Sequence, residues 1–195
     1  EHQYLIGVVN QLENQLGKSR PKPDRTLIPF TNGFLNLKTK ELRKHSVETF
    51  FDWCLPVAYS NDRETKVIDQ IFHNLAGRDA EHKEYENRIT IMRTFLAATV
   101  RGMSHLHKYL ELIGQSGAGK TTYMGLATML VGEKNSTVSD LRTLDESKWE
   151  TATFLNKRLV IFPDEQEYGG SGSKLKNMTG GDLLRYEPKG QAIGE

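Results

Sequence analysis

Residues 108–122 read KYLELIGQSGAGKTT, and this stretch decides how the chain is understood. Its first half, KYLELIG, has the short alternating pattern of a strand. A glycine-rich run follows, and Met124, Ala127, Leu130 and Val131 then recur at helical spacing. Strand, glycine loop, helix is the order in which a phosphate loop is built. The octet Gly114, Gln115, Ser116, Gly117, Ala118, Gly119, Lys120 and Thr121 satisfies every specified position of that motif. Glycines at 114, 117 and 119 let successive backbone N–H groups turn inward, and the positive end of the next helix dipole falls on the same spot. The expected result is a cradle for the phosphates of ATP. Lys120 is expected to reach the β- and γ-phosphates as a point charge. The Thr121 hydroxyl is a hard oxygen donor suited to Mg²⁺, and Thr122 borders the loop.

A second signal lies about forty residues on, where RLVIF (158–162) reads as a buried strand that leads through Pro163 to Asp164 and Glu165. Parallel sheets bind ligands at the carboxyl ends of their strands, so the two carboxylates are placed for work on a nucleotide. Asp164 is expected to hold Mg²⁺ through its water shell, and Glu165 to orient or deprotonate the attacking water. Lys120, Asp164 and Glu165 form the expected catalytic set, because phosphoryl transfer depends on positioning and charge neutralisation. Pro163 lacks the N–H a ladder needs and leaves the strand end open. The residues between the two signals show no single period.

Upstream of the loop the chain divides in two. Leu5, Val8, Val9, Leu12 and Leu16 recur at helical spacing until Gly17, Pro21 and Pro23; TLIPF and GFLNL then flank Thr31-Asn32-Gly33, a hairpin signal. From Asp62, one apolar stripe of Val67, Ile68, Ile71, Phe72 and Leu75 ends at Gly77. Another, of Tyr85, Ile89, Met92, Phe95, Leu96 and Val100, ends at Gly102. Two packed helices are predicted. The expected fold is α/β: a parallel-sheet core of the P-loop NTPase type over 108–195, a helical subdomain over 62–107, and an α+β segment over 1–61.

Composition narrows the function classes. The 26 Lys and Arg against 25 Asp and Glu leave a net charge of +1, so no global basic surface argues for nucleic acid. Cys54 is the single cysteine, which excludes an internal disulfide framework and points to a reducing, cytoplasmic setting. No apolar run reaches membrane-spanning length, and no membrane partner is expected. His105 and His107 have no cysteine pair or carboxylate at ligand spacing, and isolated aromatics such as Trp53, Trp149 and Tyr186 read as packing residues.

The phrases NGFLNLKTKELRKHSVETFFDWCLP, GQSGAGKTT, TATFLNKRLVIFPDEQ and LKNMTGGDLLRYEPKG resemble the primase-helicase proteins of phages, plasmids and large DNA viruses, which carry a superfamily 3 helicase domain related to AAA+ ATPases. The resemblance implies an ATP-dependent DNA helicase or translocase, working as a ring, usually a hexamer, with single-stranded or forked DNA in its channel. A primase or polymerase module is implied in the same or another chain. It also implies that a helix holding Lys174, Leu175, Lys176 and Met178 precedes a hairpin, LLRYEPKGQ, that touches DNA. Lys189 at the hairpin turn, Lys174 and Lys176 become the expected DNA contacts. The resemblance further implies a later strand ending in a polar sensor residue and a later arginine acting on a neighbour's ATP. Neither falls within the 195 residues, so a core incomplete on its C-terminal side is expected. Arg185 takes no assigned role. A second function class stays open: an assembly switch, such as a loader or packaging module, that binds ATP without unwinding.

Overall fold

Short apolar runs on either side of Thr31 and Asn32 pair as antiparallel strands, β1 (Leu27–Phe30) and β2 (Gly33–Asn36), with Phe30 opposite Gly33. The computed structural model describes residues 24–46, 49, 51–62, 64–77, 82–163, 168–182 and 187. The predicted helix over Leu5–Leu16 lies outside them. The predicted hairpin forms with Thr31 and Asn32 as its two connecting residues and Gly33 already paired in β2, and β3 (Glu41–Arg43) extends the sheet on the far side of β2. The Asn32 side chain brackets Tyr59, donating to its carbonyl at 3.0 Å and accepting from its N–H at 2.9 Å. That pairing folds residues 51–59 back along the sheet, where Leu55 is buried and donates its N–H to Pro29 O at 2.9 Å.

The two predicted helices form: α1 (Lys66–Ala76), closed by Gly77, and α2 (His82–Val100). Phe72 and Ala76 of α1 meet Ile89, Met92 and Leu96 of α2 in one apolar cluster. The cluster continues into Tyr123, Ala127 and Val131 of α3 (Lys120–Val131) and Leu159 of β5 (Leu159–Ile161). The helices therefore share their core with the glycine loop's helix. Full burial of each large apolar side chain contributes about 1.5–3 kcal/mol. The expected stripe on α1 is only partly used, because Val67 is 77% and Ile68 41% exposed. Helical period identifies an apolar face, and burial further requires a partner opposite it.

The chain is a mixed α/β protein with a small parallel sheet: β4 (Ser136–Val138) pairs with β5 in parallel, Ser136 opposite Leu159. Between them lie α4 (Leu141–Glu146) and a 3₁₀ turn over Glu150–Phe154; α5 (Ser173–Gly180) follows β5. Asp140 caps α4 by accepting from Thr143 N–H at 2.8 Å, and this bond holds its carboxyl below the usual aspartate range.

Residues 108–114 keep the alternation of a strand, with Leu110 and Leu112 packed on the core while Tyr109 and Ile113 are 62% and 88% exposed, yet they form no ladder. A groove of about 1010 Å³ is lined by Leu110, Leu112 and Gly114 from this segment and by Leu159 and Ile161 of β5. The two segments face open space, and without a partner an alternating stretch has nothing to bond to. The second strand is also shorter than RLVIF: it ends at Ile161, two residues before Pro163, whose missing N–H ends ladder bonding. No described helix is long and apolar enough to cross a membrane.

Candidate functional site

The glycine loop takes its shape from bonds within eight residues. Gly117 and Gly119 have φ of +80° and +87°, in the left-handed region that residues with a Cβ avoid. Ala118 N–H closes a turn onto Gln115 O at 3.2 Å, and the Lys120 ammonium donates to Gly114 O at 2.7 Å and Gln115 O at 3.0 Å. An ammonium has three N–H donors, so two loop carbonyls leave one for an anion. Gly119 caps α3, whose first bond across this end runs from Tyr123 N–H to Gly119 O at 3.0 Å. The N–H groups of Lys120, Thr121 and Thr122 precede it and have no acceptor inside the helix. Together with the helix dipole they make a positive, donor-rich end. Thr121 and Thr122 are exposed, as are residues 114–118. Donors, cation and hydroxyl fit a magnesium-bound polyphosphate.

Behind the loop, Tyr123 is buried and its hydroxyl donates to Met92 O of α2 at 2.8 Å. Desolvation raises its pKa far above the ordinary tyrosine value, so the hydroxyl stays a donor. The other two members of the expected catalytic set, Asp164 and Glu165, lie outside the described residues, as do Lys189 and Arg185; β5 ends three residues before Asp164. The predicted hairpin LLRYEPKGQ is likewise outside, apart from Glu187, which pairs with Lys148 at 3.2 Å.

The helix implied by the family resemblance is present as α5 and carries Lys174, Leu175, Lys176 and Met178. Its two lysines differ. Lys174 donates to Ser147 O at 2.8 Å and ties α5 to the end of α4, whereas Lys176 is exposed. Nothing in the sequence singled out Asp145, the residue that organises the approach to α5. Its Oδ2 accepts from the Tyr168 hydroxyl at 2.7 Å, Gly172 N–H at 2.9 Å and the Ser171 hydroxyl at 3.2 Å. The bond from Tyr168, with smaller help from Gly172 and Ser171, lowers the Asp145 pKa below the ordinary value, and the same bond raises that of Tyr168.

Arg158 also escaped the sequence. Its guanidinium lies 3.7 Å from the centre of the Trp53 ring and fastens the N-terminal sheet to the start of β5, a cation–π contact worth about 0.5–2 kcal/mol. Desolvation lowers its pKa, and Asp52 opposes that shift. Asn135 makes a second joint, donating to Cys54 O at 2.9 Å and Val131 O at 2.7 Å. His105 is engaged with Arg25 at 3.0 Å.

Two family models match the chain. Residues 7–89 match the model described as D5 N terminal like. That match supports the primase-helicase resemblance and a replication protein of that type. Residues 112–193, from the end of the alternating segment through α5, match a family of unknown function, DUF5906.

Proposed function

We propose that this chain is the ATP-driven motor segment of a primase-helicase replication protein, hydrolysing ATP to move on or unwind DNA during replication of a phage or mobile element. The observation that carries the reading is the glycine loop, in which two left-handed glycines, a Lys120 bonded to the loop carbonyls and the open end of α3 follow one another within a few residues. On this reading residues 108–195 belong to a phosphate-loop NTPase core, 62–107 act as a helical collar, and 1–61 form an N-terminal α+β segment.

The residues divide the work. Backbone N–H groups of the loop and the first turn of α3 orient the phosphates, and the free donor of Lys120 engages the β- and γ-phosphate oxygens. Thr121, with Asp164 through water, would hold Mg²⁺, which neutralises charge on the β- and γ-phosphate oxygens when bound. Glu165 takes a proton from the attacking water. Lys176 and Lys189 contact DNA phosphates, while Lys174 serves α5 by its bond to Ser147. The working form is a homo-oligomeric ring, hexameric by resemblance, with DNA in its channel and a primase or polymerase module alongside.

Hydrolysis of ATP, measured with and without single-stranded DNA, tests this. Turnover that DNA stimulates, together with a Glu165→Gln variant that binds ATP but does not turn it over, is the expected result. Tight binding without turnover, or turnover indifferent to DNA, would favour the assembly switch.

A further inference from the structure

Leu75, on α1, touches the phosphate loop. A Cβ built on Gly119 would overlap Leu75 Cδ2 and would lie 3.7 Å from Leu75 Cγ, so the leucine side chain closes on the bare Cα of the loop's last residue. At Gly117 the same construction meets nothing within 4 Å. The loop is therefore open to solvent at Gly117 and walled at Gly119, and the wall belongs to another element.

The wall is held firmly. Phe72 and Ala76, three residues before and one after Leu75, are buried in the cluster shared with α2 and α3. Arg88 of α2 donates to Ala76 O at 2.9 Å, and Arg93 of α2 pairs with Asp69 of α1 at 2.5 Å. Gly119 is also gripped from inside, since its carbonyl accepts from Tyr123 N–H and the Tyr123 hydroxyl is tied to Met92 O. Helix α1 presses on the Cα while α2, through Tyr123, holds the carbonyl. The backbone at Gly119 sets where the N–H and side chain of Lys120 point.

We propose that Leu75 is a positioning residue for the nucleotide: it fixes the left-handed turn at Gly119 and so aims Lys120, making the helical segment part of the phosphate site. The inference rests on the ATP reading given above. It also implies that any movement of α1 against α3 reaches the nucleotide directly, with no intervening loop.

The test is the affinity of the full chain for Mg·ATP by calorimetric titration, with Tm measured beside it. Leu75→Ala is expected to weaken binding by about tenfold, the scale on which loss of one charge-assisted hydrogen bond from Lys120 is felt. Leu75→Met, which refills the volume, should return affinity to within about twofold. Ile89→Val trims the same core away from the loop; it should lower Tm by about 2–4 °C and leave affinity unchanged. If Leu75→Ala binds as the parent does, or if Ile89→Val weakens binding as much, the positioning role is wrong. If the parent chain itself fails to bind Mg·ATP, the ATP reading falls and takes this inference with it, an outcome distinguishable because it appears before any substitution.

Discussion

The glycine loop and the segment entering α5 hold their shapes by opposite means. In the loop, every bond that sets the shape joins residues no more than six apart: Ala118 to Gln115, Lys120 to Gly114 and Gln115. Residues 168–172 instead converge on a carboxylate 23 to 27 positions earlier in the chain, Asp145 on α4. A locally built loop costs little to keep ordered and can present a constant set of donors to a ligand. A segment hung on one distant side chain can be released by changing that side chain alone. If the chain is a motor, the first is where constancy is needed and the second is where movement is least expensive.

Substituting the two loop glycines gives the larger effect and tests how local the loop is. Gly117→Ala and Gly119→Ala each force a Cβ into the left-handed region, a strain of about 1–2 kcal/mol. In a chain of this size each kcal/mol corresponds to a Tm shift of about 2–4 °C. Gly119→Ala should lower Tm further than Gly117→Ala, because it must also displace Leu75 Cδ2. Equal losses would mean that the loop makes its shape without help from α1.

Removing the anchor at Asp145 should have a smaller and more local effect. In Asp145→Ala, hydrogen exchange at the Gly172 amide is expected to accelerate while affinity for Mg·ATP stays at the parent value. Slow exchange in the variant would show that other contacts hold the segment. Acid should reproduce the variant. The folded-state pKa of Asp145 is depressed, so its contribution is present above the unfolded-state aspartate value of about 3.9 and is lost as pH falls through the lower folded value. Protection at Gly172 should therefore fall in that window in the parent and be independent of pH there in Asp145→Ala.

The same contrast explains what was legible in the sequence. The hairpin around Asn32, the limits of α1 at Gly77 and of α2 before Gly102, and the left-handed turn at Gly117 are written in neighbouring residues, and each could be read directly. Features that need a distant partner could not. Residues 108–114 display the strand alternation, but pairing depends on what lies across the groove. Val67 and Ile68 look like core positions on a helical wheel and are exposed. β4 is three residues long with a polar start, too short for any period to register. Asp145 and Arg158 carry no local signal of their roles, because nothing nearby in sequence announces Tyr168 or Trp53. Leu75 reads as one more apolar position, and its importance comes from meeting a glycine that has no side chain to signal the contact.

The central claim is that residues 114–122 bind the phosphates of ATP through Lys120. Calorimetric titration of Mg·ATP into the parent chain and into Lys120→Ala tests it most directly. Charge-assisted bonds contribute about 1.5–3 kcal/mol each, so loss of the lysine should weaken binding by at least about tenfold. Equal affinity in the two proteins, or no binding by the parent, would contradict the account.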